Sequence, residues 1–267
     1  MTKEMSKDPG QAQGLRNNSA SLRRALSILL QLGHDTAGSG FSLVELSTAL
    51  EMNKSTLLRL LQPLVEARFV EQLSSGYYRL GWRNAQLGQV YLAGVDLHRN
   101  MKDVLQRLAT QTGETAHLVI ADFPSIVYVD KVDSPHPVRM VSRIGNQQPA
   151  YSTSLGKAML AHAPDETVEM VISNGMPART PYTITTARGL REELAAIRER
   201  GYAIDDVENE EGIRCVAAPV FDQSGASLSG ISVSGPVERV TPEKAVEFGP
   251  LVIAAANEIS RRLGAKR

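Results

Sequence analysis

Residues 42–80 read SLVELSTALEMNKSTLLRLLQPLVEARFVEQLSSGYYRL, and this stretch decides the fold of the first part of the chain. Ser42 and Glu45 form a capping box, so a short helix is predicted to begin immediately after Ser42. Asn53 is suited to cap a second helix, because apolar side chains recur at helical spacing over residues 57–65. Only a few residues separate the two helices, as in a helix-turn-helix.

A two-stranded ribbon is predicted directly after the second helix. Residues 69–73 and 77–80 alternate like the strands of a ribbon, and the turn between them ends at Gly76. Two short helices followed by a ribbon are typical of a winged helix-turn-helix, a shape that usually reads DNA. Pro63 lies inside the second helix, where it removes a backbone hydrogen bond, so we expect a kink or an early end near Leu61.

The first turns of the second helix carry polar side chains on the face opposite the apolar one. The N-terminal residues of such a helix reach base edges in the major groove, and its free N–H groups suit phosphate. Serine and threonine bond phosphates or bases, and arginine suits guanine. The alternative is a small helical domain with a solvated polar face. The residues predicted to contact DNA are Arg23, Lys54, Ser55, Thr56, Arg59 and Tyr77.

The composition of the 267-residue chain excludes several classes of protein. The length suits two domains, and a hydrophobic fraction of 42% supports ordinary globular cores. Lys/Arg and Asp/Glu number 29 each overall and nine against seven in residues 1–80, which favours a selective DNA-binding protein over a non-specific coat. Cys215 is the single cysteine, which excludes an intramolecular disulfide framework and a zinc ribbon. A signal-peptide core and a membrane-spanning apolar run are both missing, so we expect a cytoplasmic protein.

Four regions are expected along the chain. Residues 1–18 are polar and predicted to be a disordered tail, and residues 19–81 form the winged helix-turn-helix domain. Residues 82–96 are a helical linker, and residues 97–267 are a larger second domain. The linker is more apolar than a free linker should be, so we interpret it as part of a dimer contact. The core face predicted for the first helix comprises Leu22, Ala25, Leu26, Leu29 and Leu30.

The second domain mixes strands and helices. Thr241 is predicted to cap a final helix that has Pro242 in its first position. Strands, then helices, then strands describe an α+β domain with a mostly antiparallel sheet. Strands are predicted over residues 115–121, 126–132, 138–143, 202–207, 215–221 and 228–234. Helices are predicted over residues 97–108, 155–162, 166–173 and 188–200, and the core face of the final helix comprises Phe248, Leu251, Val252, Ala255, Ile259 and Leu263.

The chain resembles the IclR family of bacterial transcriptional regulators over residues 22–263. The resemblance implies that residues 97–267 form a GAF-like effector-binding and oligomerisation domain, with a dimer through the DNA-binding domains and often a tetramer. Glu51 stands at a turn position that often holds glycine in the family. The resemblance rests on residues 46–50 (LSTAL), 54–61 (KSTLLRLL), 153–158 (TSLGKA), 205–219 (DDVENEEGIRCVAAP) and 231–236 (ISVSGP).

The resemblance also implies a pocket for a small organic molecule. Leu155 and Gly156 open a predicted helix, so their backbone N–H groups suit a carboxylate. Ser232 and Ser234 lie two apart on one strand and therefore on one face. We predict a small carboxylic acid as the effector; the alternative is that these are buried polar residues bonded to backbone. The positions that match the family's pocket are Ser154, Leu155, Asp205, Ile213, Cys215, Ser232 and Ser234.

An enzyme is the rival class. A nucleophilic cysteine needs a histidine base nearby, and only His117 starts a predicted strand of the same sheet as Cys215, with no spacing that pairs them. Residues 230–234 lack the closing glycine of a nucleophile elbow. The scattered Cys, His and Asp residues show no metal-ligand spacing. We therefore predict that the chain is not an enzyme and has no catalytic residue, cofactor or metal ligand; an enzyme that uses Cys215 is the less favoured alternative, and a bound metal stays open because some members of the family that the chain resembles carry one.

A second alternative is a DNA-binding assembly protein without a small-molecule effector. The acidic residues 208–211 are either a solvated loop or a lid over the pocket. We predict a sequence-specific transcriptional regulator, a repressor or an activator, that binds double-stranded operator DNA as a homodimer or tetramer. In this mechanism two winged helices dock into successive major grooves, and the effector controls operator affinity through the linker.

Overall fold

The structure is a computed structural model that describes residues 19–35, 37–94 and 101–265, with side chains up to residue 91 in the second range. The chain divides into two compact units, of which the first ends at Tyr91 and the second begins at Leu92. The tail predicted over residues 1–18, the last two linker residues (95–96) and the start of the helix predicted over residues 97–108 lie outside the described residues. Within the described residues, every helix falls short of the length and apolar character that a membrane span requires.

The first unit forms the elements that local signals predicted. The Ser42 hydroxyl accepts the N–H of Glu45 at 3.2 Å, and the Glu45 carboxylate accepts the N–H of Ser42 at 2.7 Å. Asn53 Oδ1 accepts the N–H of Thr56 at 2.9 Å. The elements are α1 (Ala20–Gly33), α2 (Leu43–Ala49), α3 (Lys54–Glu66), the antiparallel strands β1 (Val70–Gln72) and β2 (Tyr78–Leu80), and α4 (Trp82–Gly94), which continues past the boundary between the units.

Of the two outcomes predicted at Pro63, the early end near Leu61 is wrong, because α3 continues through Pro63 to Glu66, and the kink stays a prediction. Arg59 and Pro63 both lie on the exposed side of α3, so water can satisfy the Arg59 carbonyl that loses its helical partner. The N–H of Ala67 still donates to the Pro63 carbonyl at 3.0 Å, and the apolar face of the helix keeps packing after the proline.

The core face predicted for α1 is rotated from the observed one. Ile28 and Leu32 are buried and Leu29 packs against them, whereas Leu22, Leu26 and Leu30 are exposed. The sequence places two apolar stripes on this helix, and only contacts with α2, α3 and β2 determine which stripe is buried in the unit. The buried core of the unit comprises Ile28, Leu32, Leu46, Leu57, Leu60, Leu61, Val70 and Tyr78.

The second unit is an α+β fold around one six-stranded sheet in which all neighbouring strands are antiparallel, as predicted. The strand order across the sheet is β5-β4-β3-β8-β7-β6. The elements are α5 (Lys102–Thr112), β3 (Thr115–Asp122), β4 (Ser125–Val132), β5 (Gln147–Pro149), α6 (Ser154–Leu160), α7 (Asp165–Ser173), α8 (Ala187–Arg200), β6 (Ala203–Asp206), β7 (Ile213–Val220), β8 (Ser229–Pro236) and α9 (Pro242–Arg262).

Helices cover both faces of this sheet. On one face, α5 and α9 pack against alternate strand residues such as Leu118, Val216 and Ile231. On the other face, α6, α7 and α8 pack against the intervening residues, such as Val119 and Ala217. Strand alternation places four further side chains on this second face, under α6 rather than under α9. They are those of His117, Cys215, Ser232 and Ser234.

The strand predicted over residues 138–143 is wrong. The structure instead pairs β5 (Gln147–Pro149) with β4, and residues 138–143 have no partner strand. This segment is held by side chains: Met140 and Ser142 are buried, and Lys131 Nζ donates to the Ser142 carbonyl at 2.8 Å. Val138 and Val141 are 68% and 80% exposed, so the apolar pattern that predicted a strand here does not reflect burial in a sheet.

Candidate functional site

The exposed face of α3 presents a basic and polar surface at its N-terminal end. Lys54, Ser55 and Arg59 are exposed, and in the described part of the chain neither Lys54 nor Arg59 is held in an ion pair. Asn53 caps this end of α3. The backbone N–H groups of the first turn point out of the helix start, beside these side chains. Cationic side chains at a free helix N-terminus are suited to contact a phosphate backbone and base edges.

The other predicted DNA contacts differ in how freely they are available. Thr56 is half-buried, while Arg23 on α1 is exposed and Tyr77, just before β2, is 38% exposed. The Ser55 hydroxyl donates to Asn53 Oδ1 at 3.1 Å and thereby supports the cap. Leu58 and Gln62 share the exposed side of α3 with Arg59, although they were not among the predicted contacts.

A small polar pocket lies in the second unit between β7, β8 and the start of α6. Its volume is about 10 Å³, which is room for about one water molecule. Six of the eight residues predicted to bind a ligand lie at this pocket, which is lined by Tyr128, Met140, Thr153, Ser154, Leu155, Asp205, Asn209, Glu210, Ile213, Cys215 and Ser234.

Two of the predicted ligand-binding residues do not line the pocket. The Gly156 N–H donates to Thr153 Oγ1 at 3.2 Å, so it is committed to the cap of α6. Ser232 is fully buried, and its hydroxyl lies 3.5 Å from His117 Nδ1. Five lining residues were not predicted, namely Tyr128, Met140, Thr153, Asn209 and Glu210. Met140 follows no periodic pattern, whereas Tyr128 could have been found from the inward alternation along β4.

Asp205 supplies a buried carboxyl group to the pocket wall. It is 3% exposed, and its Oδ1 accepts the N–H groups of Glu208 and Asn209 at 2.8 and 3.2 Å. Burial raises the pKa of Asp205 to about 7, although the nearby Lys157 acts in the opposite direction. The Asp205 carboxyl group is therefore able to meet a ligand either as an acceptor or, when protonated, as a donor.

Cys215 and His117 lie on the same face of the sheet but do not form a nucleophile and base. Burial raises the pKa of the Cys215 thiol well above its ordinary value. Burial also lowers the pKa of His117 to about 3. Ser234 lies between them, in hydrogen-bond contact with the Cys215 thiol and 3.4 Å from His117 Nδ1. A neutral thiol without a direct base disfavours nucleophilic catalysis.

The acidic segment 208–211 is not simply solvated, because its first part is fixed inside the protein. The Glu208 carboxylate pairs with Lys157, whose side chain is fully buried. Thr183 Oγ1 donates to the Glu208 carbonyl at 2.6 Å, and Ser152 Oγ donates to Asn209 Oδ1 at 3.0 Å. Within the described ranges, the structure brings together no group of three His, Cys, Asp or Glu side chains able to hold a metal ion.

Comparisons with known proteins agree with both units. The family model for the IclR helix-turn-helix domain matches residues 21–74, and the model for the C-terminal part of bacterial transcriptional regulator IclR matches residues 89–261. The chain is 37% identical over 247 residues to the HTH-type transcriptional regulator KdgR of Escherichia coli K12, covering 92% of this chain and 93% of that protein.

Solved structures show the same fold. The Thermotoga maritima IclR structure is 35% identical, with a TM-score of 0.76 over 91% of this chain and 98% of that one. An IclR homologue from Microbacterium hydrocarbonoxydans, solved in complex with 4-hydroxybenzoate, has a TM-score of 0.78 over 91% of this chain and 99% of that one. That homologue is 23% identical in sequence, so it shows the shared fold.

Proposed function

The chain belongs to the IclR family of bacterial transcriptional regulators, and we propose that its operator affinity is controlled by a small carboxylic acid bound in the second unit. The observation that carries this proposal is that one chain combines an exposed, capped recognition helix with a buried polar pocket. Relatives named as transcriptional regulators support a regulatory role over an enzymatic one.

On the DNA side, α3 is the element proposed to enter the major groove. Arg59 is proposed to contact a base, with a bidentate contact to guanine as the preferred geometry. Lys54 and Ser55, together with Arg23, Thr56 and Tyr77, are proposed to contact phosphates or neighbouring bases and to set the register. Because few cations are involved, the affinity of one copy for DNA is expected to be modest.

On the effector side, the chemistry of the lining favours a small molecule with several hydrogen-bonding oxygens. Ser154 and Ser234 offer hydroxyl groups, and Leu155 and Ile213 offer an apolar wall. A carboxylate beside Asp205 requires that Asp205 be protonated, which its pKa of about 7 allows near neutrality. The homologue solved with 4-hydroxybenzoate makes carboxylic acids the first class to test.

A homodimer is proposed to bind two half-sites of a near-palindromic operator. Leu22, Leu26 and Leu30 form an exposed apolar stripe on α1, and Leu87 and Val90 are exposed on α4. Such stripes on a small unit favour contact with a second copy. Two recognition helices then lie about 34 Å apart or a multiple of that distance, and tetramers arise from pairs of dimers.

The regions proposed to divide these tasks are residues 19–81 for DNA binding, 82–96 for linkage and 97–267 for effector binding and assembly. The chain passes from one compact unit to the other within α4, so this helix is the covalent path for the signal. An effector that changes operator affinity by roughly 5- to 150-fold requires a coupling free energy of about 1–3 kcal/mol.

The test is a gel-shift titration with the DNA upstream of the gene, at two salt concentrations, followed by a screen of carboxylic acids that includes 4-hydroxybenzoate. Arg59→Ala is expected to weaken operator binding by roughly 5- to 150-fold. The control Arg188→Ala removes an exposed arginine of the second unit and is expected to leave binding unchanged. Equal loss of DNA and ligand binding in Arg59→Ala would contradict the division of tasks.

The effector half of the proposal has its own variant. Ser234→Ala is expected to reduce the response to the effective acid while operator binding persists, with Ser173→Ala, an exposed serine at the end of α7, as control. Specific DNA binding that no acid alters, together with unchanged proteolysis near Gly212, would favour the assembly protein without an effector. Turnover of an added acid that is lost in Cys215→Ser would favour an enzyme.

A further inference from the structure

The pocket must enlarge before it can hold an organic molecule. Its volume of about 10 Å³ accommodates about one water molecule, whereas even a small carboxylic acid has several heavy atoms. The sheet strands and α6 are fixed by the core beneath them. The two remaining walls are residues 205–212, which begin at the end of β6 and contribute Asp205, Asn209 and Glu210, and residues 138–143, which contribute Met140. We call the latter the Met140 segment.

The wall formed by residues 205–212 is firmly anchored. The buried ion pair of Glu208 with Lys157 ties it to α6. Thr180 Oγ1 donates to the Val207 carbonyl at 2.6 Å, and Arg179 Nε donates to the Asn209 carbonyl at 3.0 Å. Moving this wall would break a buried ion pair and several hydrogen bonds together, which is costly.

The Met140 segment is held much more lightly. It forms no strand pairing, and its outer side chains are solvent-exposed. In the part of the chain that the structure describes, its inward attachments besides Met140 are at Ser142: the hydroxyl lies 2.7 Å from His117 Nε2, and the carbonyl accepts from Lys131 Nζ at 2.8 Å. At the surface, Arg139 pairs with Asp133 at 3.8 Å, and the Arg143 carbonyl accepts the N–H of Asn146 at 3.2 Å. This wall therefore opens at the lower cost.

His117 connects the Met140 segment to the pocket. Its ring is fully buried, and the opposite nitrogen, Nδ1, lies 3.4 Å from the hydroxyl of Ser234, which lines the pocket. The ring also packs edge-on against Tyr128, a second lining residue, with centroids 5.0 Å apart. A neutral imidazole has one donor and one acceptor nitrogen, so a changed hydrogen bond at Nδ1 constrains the bond at Nε2.

We propose that the Met140 segment is the wall that opens to admit the effector, and that His117 is a positioning residue that couples this segment to Ser234. The inference rests on the proposed ligand pocket. A ligand that takes the hydrogen bond of Ser234 removes one of the two hydroxyl contacts of His117 Nδ1 and leaves only Ser232 at 3.5 Å. The loss changes the hydrogen bond between Nε2 and Ser142. Occupancy of the pocket is thereby transmitted to the exposed surface of the segment.

The test uses the full chain with no effector and no DNA, so its failure is distinct from failure of the gel-shift experiment. Trypsin cleaves after Arg139 and Arg143, which are exposed in the segment, and mass spectrometry measures each rate. Cleavage of a folded protein follows the population of the locally open form when reclosing is fast. Ser142→Ala is expected to speed both cleavages by about two- to tenfold, the effect of losing one hydrogen bond.

A matched control separates this wall from the other one. Ser152→Ala also removes a buried serine hydroxyl, but one that is bonded to Asn209 of the opposite wall. It is expected to leave cleavage after Arg139 and Arg143 unchanged. Equal acceleration by Ser152→Ala and Ser142→Ala, or no acceleration by Ser142→Ala, would overturn the assignment of the moving wall.

The coupling role of His117 is tested with Ser234→Ala in two backgrounds. In the natural chain this change is expected to speed cleavage after Arg143 by about two- to threefold, since one weak hydrogen bond is lost. His117→Gln keeps an amide near the position of Nε2 but loses the contact at Nδ1, so Ser234→Ala should have no further effect there. The same effect in both backgrounds would exclude His117 as the connection.

A spectroscopic measurement covers the case in which His117→Gln does not fold. The ¹⁵N chemical shifts of the His117 ring nitrogens report the hydrogen bond and protonation at each nitrogen. Ser234→Ala is expected to change the chemical shift of Nε2 as well as that of Nδ1, although Nδ1 is the ring nitrogen that Ser234 contacts. An unchanged Nε2 shift would show that the two bonds are independent and would refute the coupling.

Discussion

Asp205→Asn tests the electrostatics of the pocket most directly. Asparagine keeps an oxygen that can accept the N–H groups of Glu208 and Asn209, so the turn they form is preserved. The substitution removes the ability to ionise and replaces one carboxyl oxygen with an amide NH2 group. It therefore isolates the free-energy cost of a carboxylate at a position that is 3% exposed.

The expected magnitude follows from the two pKa values of Asp205. Its pKa is 3.8 in the unfolded chain and about 7 in the folded protein, so the folded state resists ionisation as the pH rises between these values. The free energy of unfolding consequently falls by less than about 1 kcal/mol at pH 4 and by about 4 kcal/mol at pH 7. The advantage of Asp205→Asn over the natural chain should grow by about 3 kcal/mol between these pH values.

Urea unfolding at pH 4, 5.5 and 7 measures this difference. Circular dichroism follows the whole chain, and a short pulse of a disulfide reagent that is active in acid labels Cys215, a buried thiol that reports unfolding of the second unit. Asp165→Asn replaces an exposed aspartate at the start of α7 and serves as control. Its difference from the natural chain should vary much less over the same range than that of Asp205→Asn.

A constant difference between Asp205→Asn and the natural chain would refute this reasoning. It would mean that Asp205 is ionised in the folded protein at pH 4 as well as at pH 7. The attraction of the Lys157 ammonium would then outweigh burial, contrary to the raised pKa. Such a result would also weaken the argument that a carboxylate effector meets a protonated Asp205.

Three further outcomes are expected. Lys157→Met should lower the free energy of unfolding by about 3–5 kcal/mol at pH 7, because it leaves Glu208 buried and unpaired. Adding Glu208→Gln should restore much of this loss, as measured by the same urea titration. Glu51→Gly should raise the melting temperature of the first unit, because Glu51 has a φ of 50° and glycine relieves up to about 1 kcal/mol of backbone strain there. A lower melting temperature would contradict this prediction. Cys215 should react with iodoacetamide at pH 8 at least about tenfold more slowly in the folded protein than in urea, because burial raises the pKa of its thiol. Equal rates would mean that the thiol is accessible in the folded protein.

The first unit was predictable in its elements because their signals are local. The capping box at Ser42 and the cap at Asn53 each depend on a hydrogen bond that spans three residues. The sequence failed where a choice depended on distant contacts. It did not show that Ile28 rather than Leu26 faces the core, nor that Pro63 is tolerated because Arg59 faces solvent.

The pocket was predicted mainly through the family resemblance, with strand alternation placing Ser232 and Ser234 on one face. Alternation alone could not separate them: Ser234 lines the pocket, whereas Ser232 points to the same buried histidine without reaching the lining. Met140 was assigned to a strand that does not exist. Its place in the pocket depends on the hydrogen bond between the Ser142 hydroxyl, in the same segment, and His117. No periodic pattern in the sequence encodes such a contact.

The sequence by itself determined most helices and strands of this protein, its α+β class and the membership of its family. These features depend on hydrogen bonds between near neighbours and on apolar periodicity, which are properties of short segments. Only the tertiary structure decided which stripe of α1 is buried, that Glu208 is paired with Lys157, and that His117 joins Ser142 to Ser234. The physical reason is that burial and charge pairing are set by residues far apart in the chain, which become neighbours only when the sheet orders its strands.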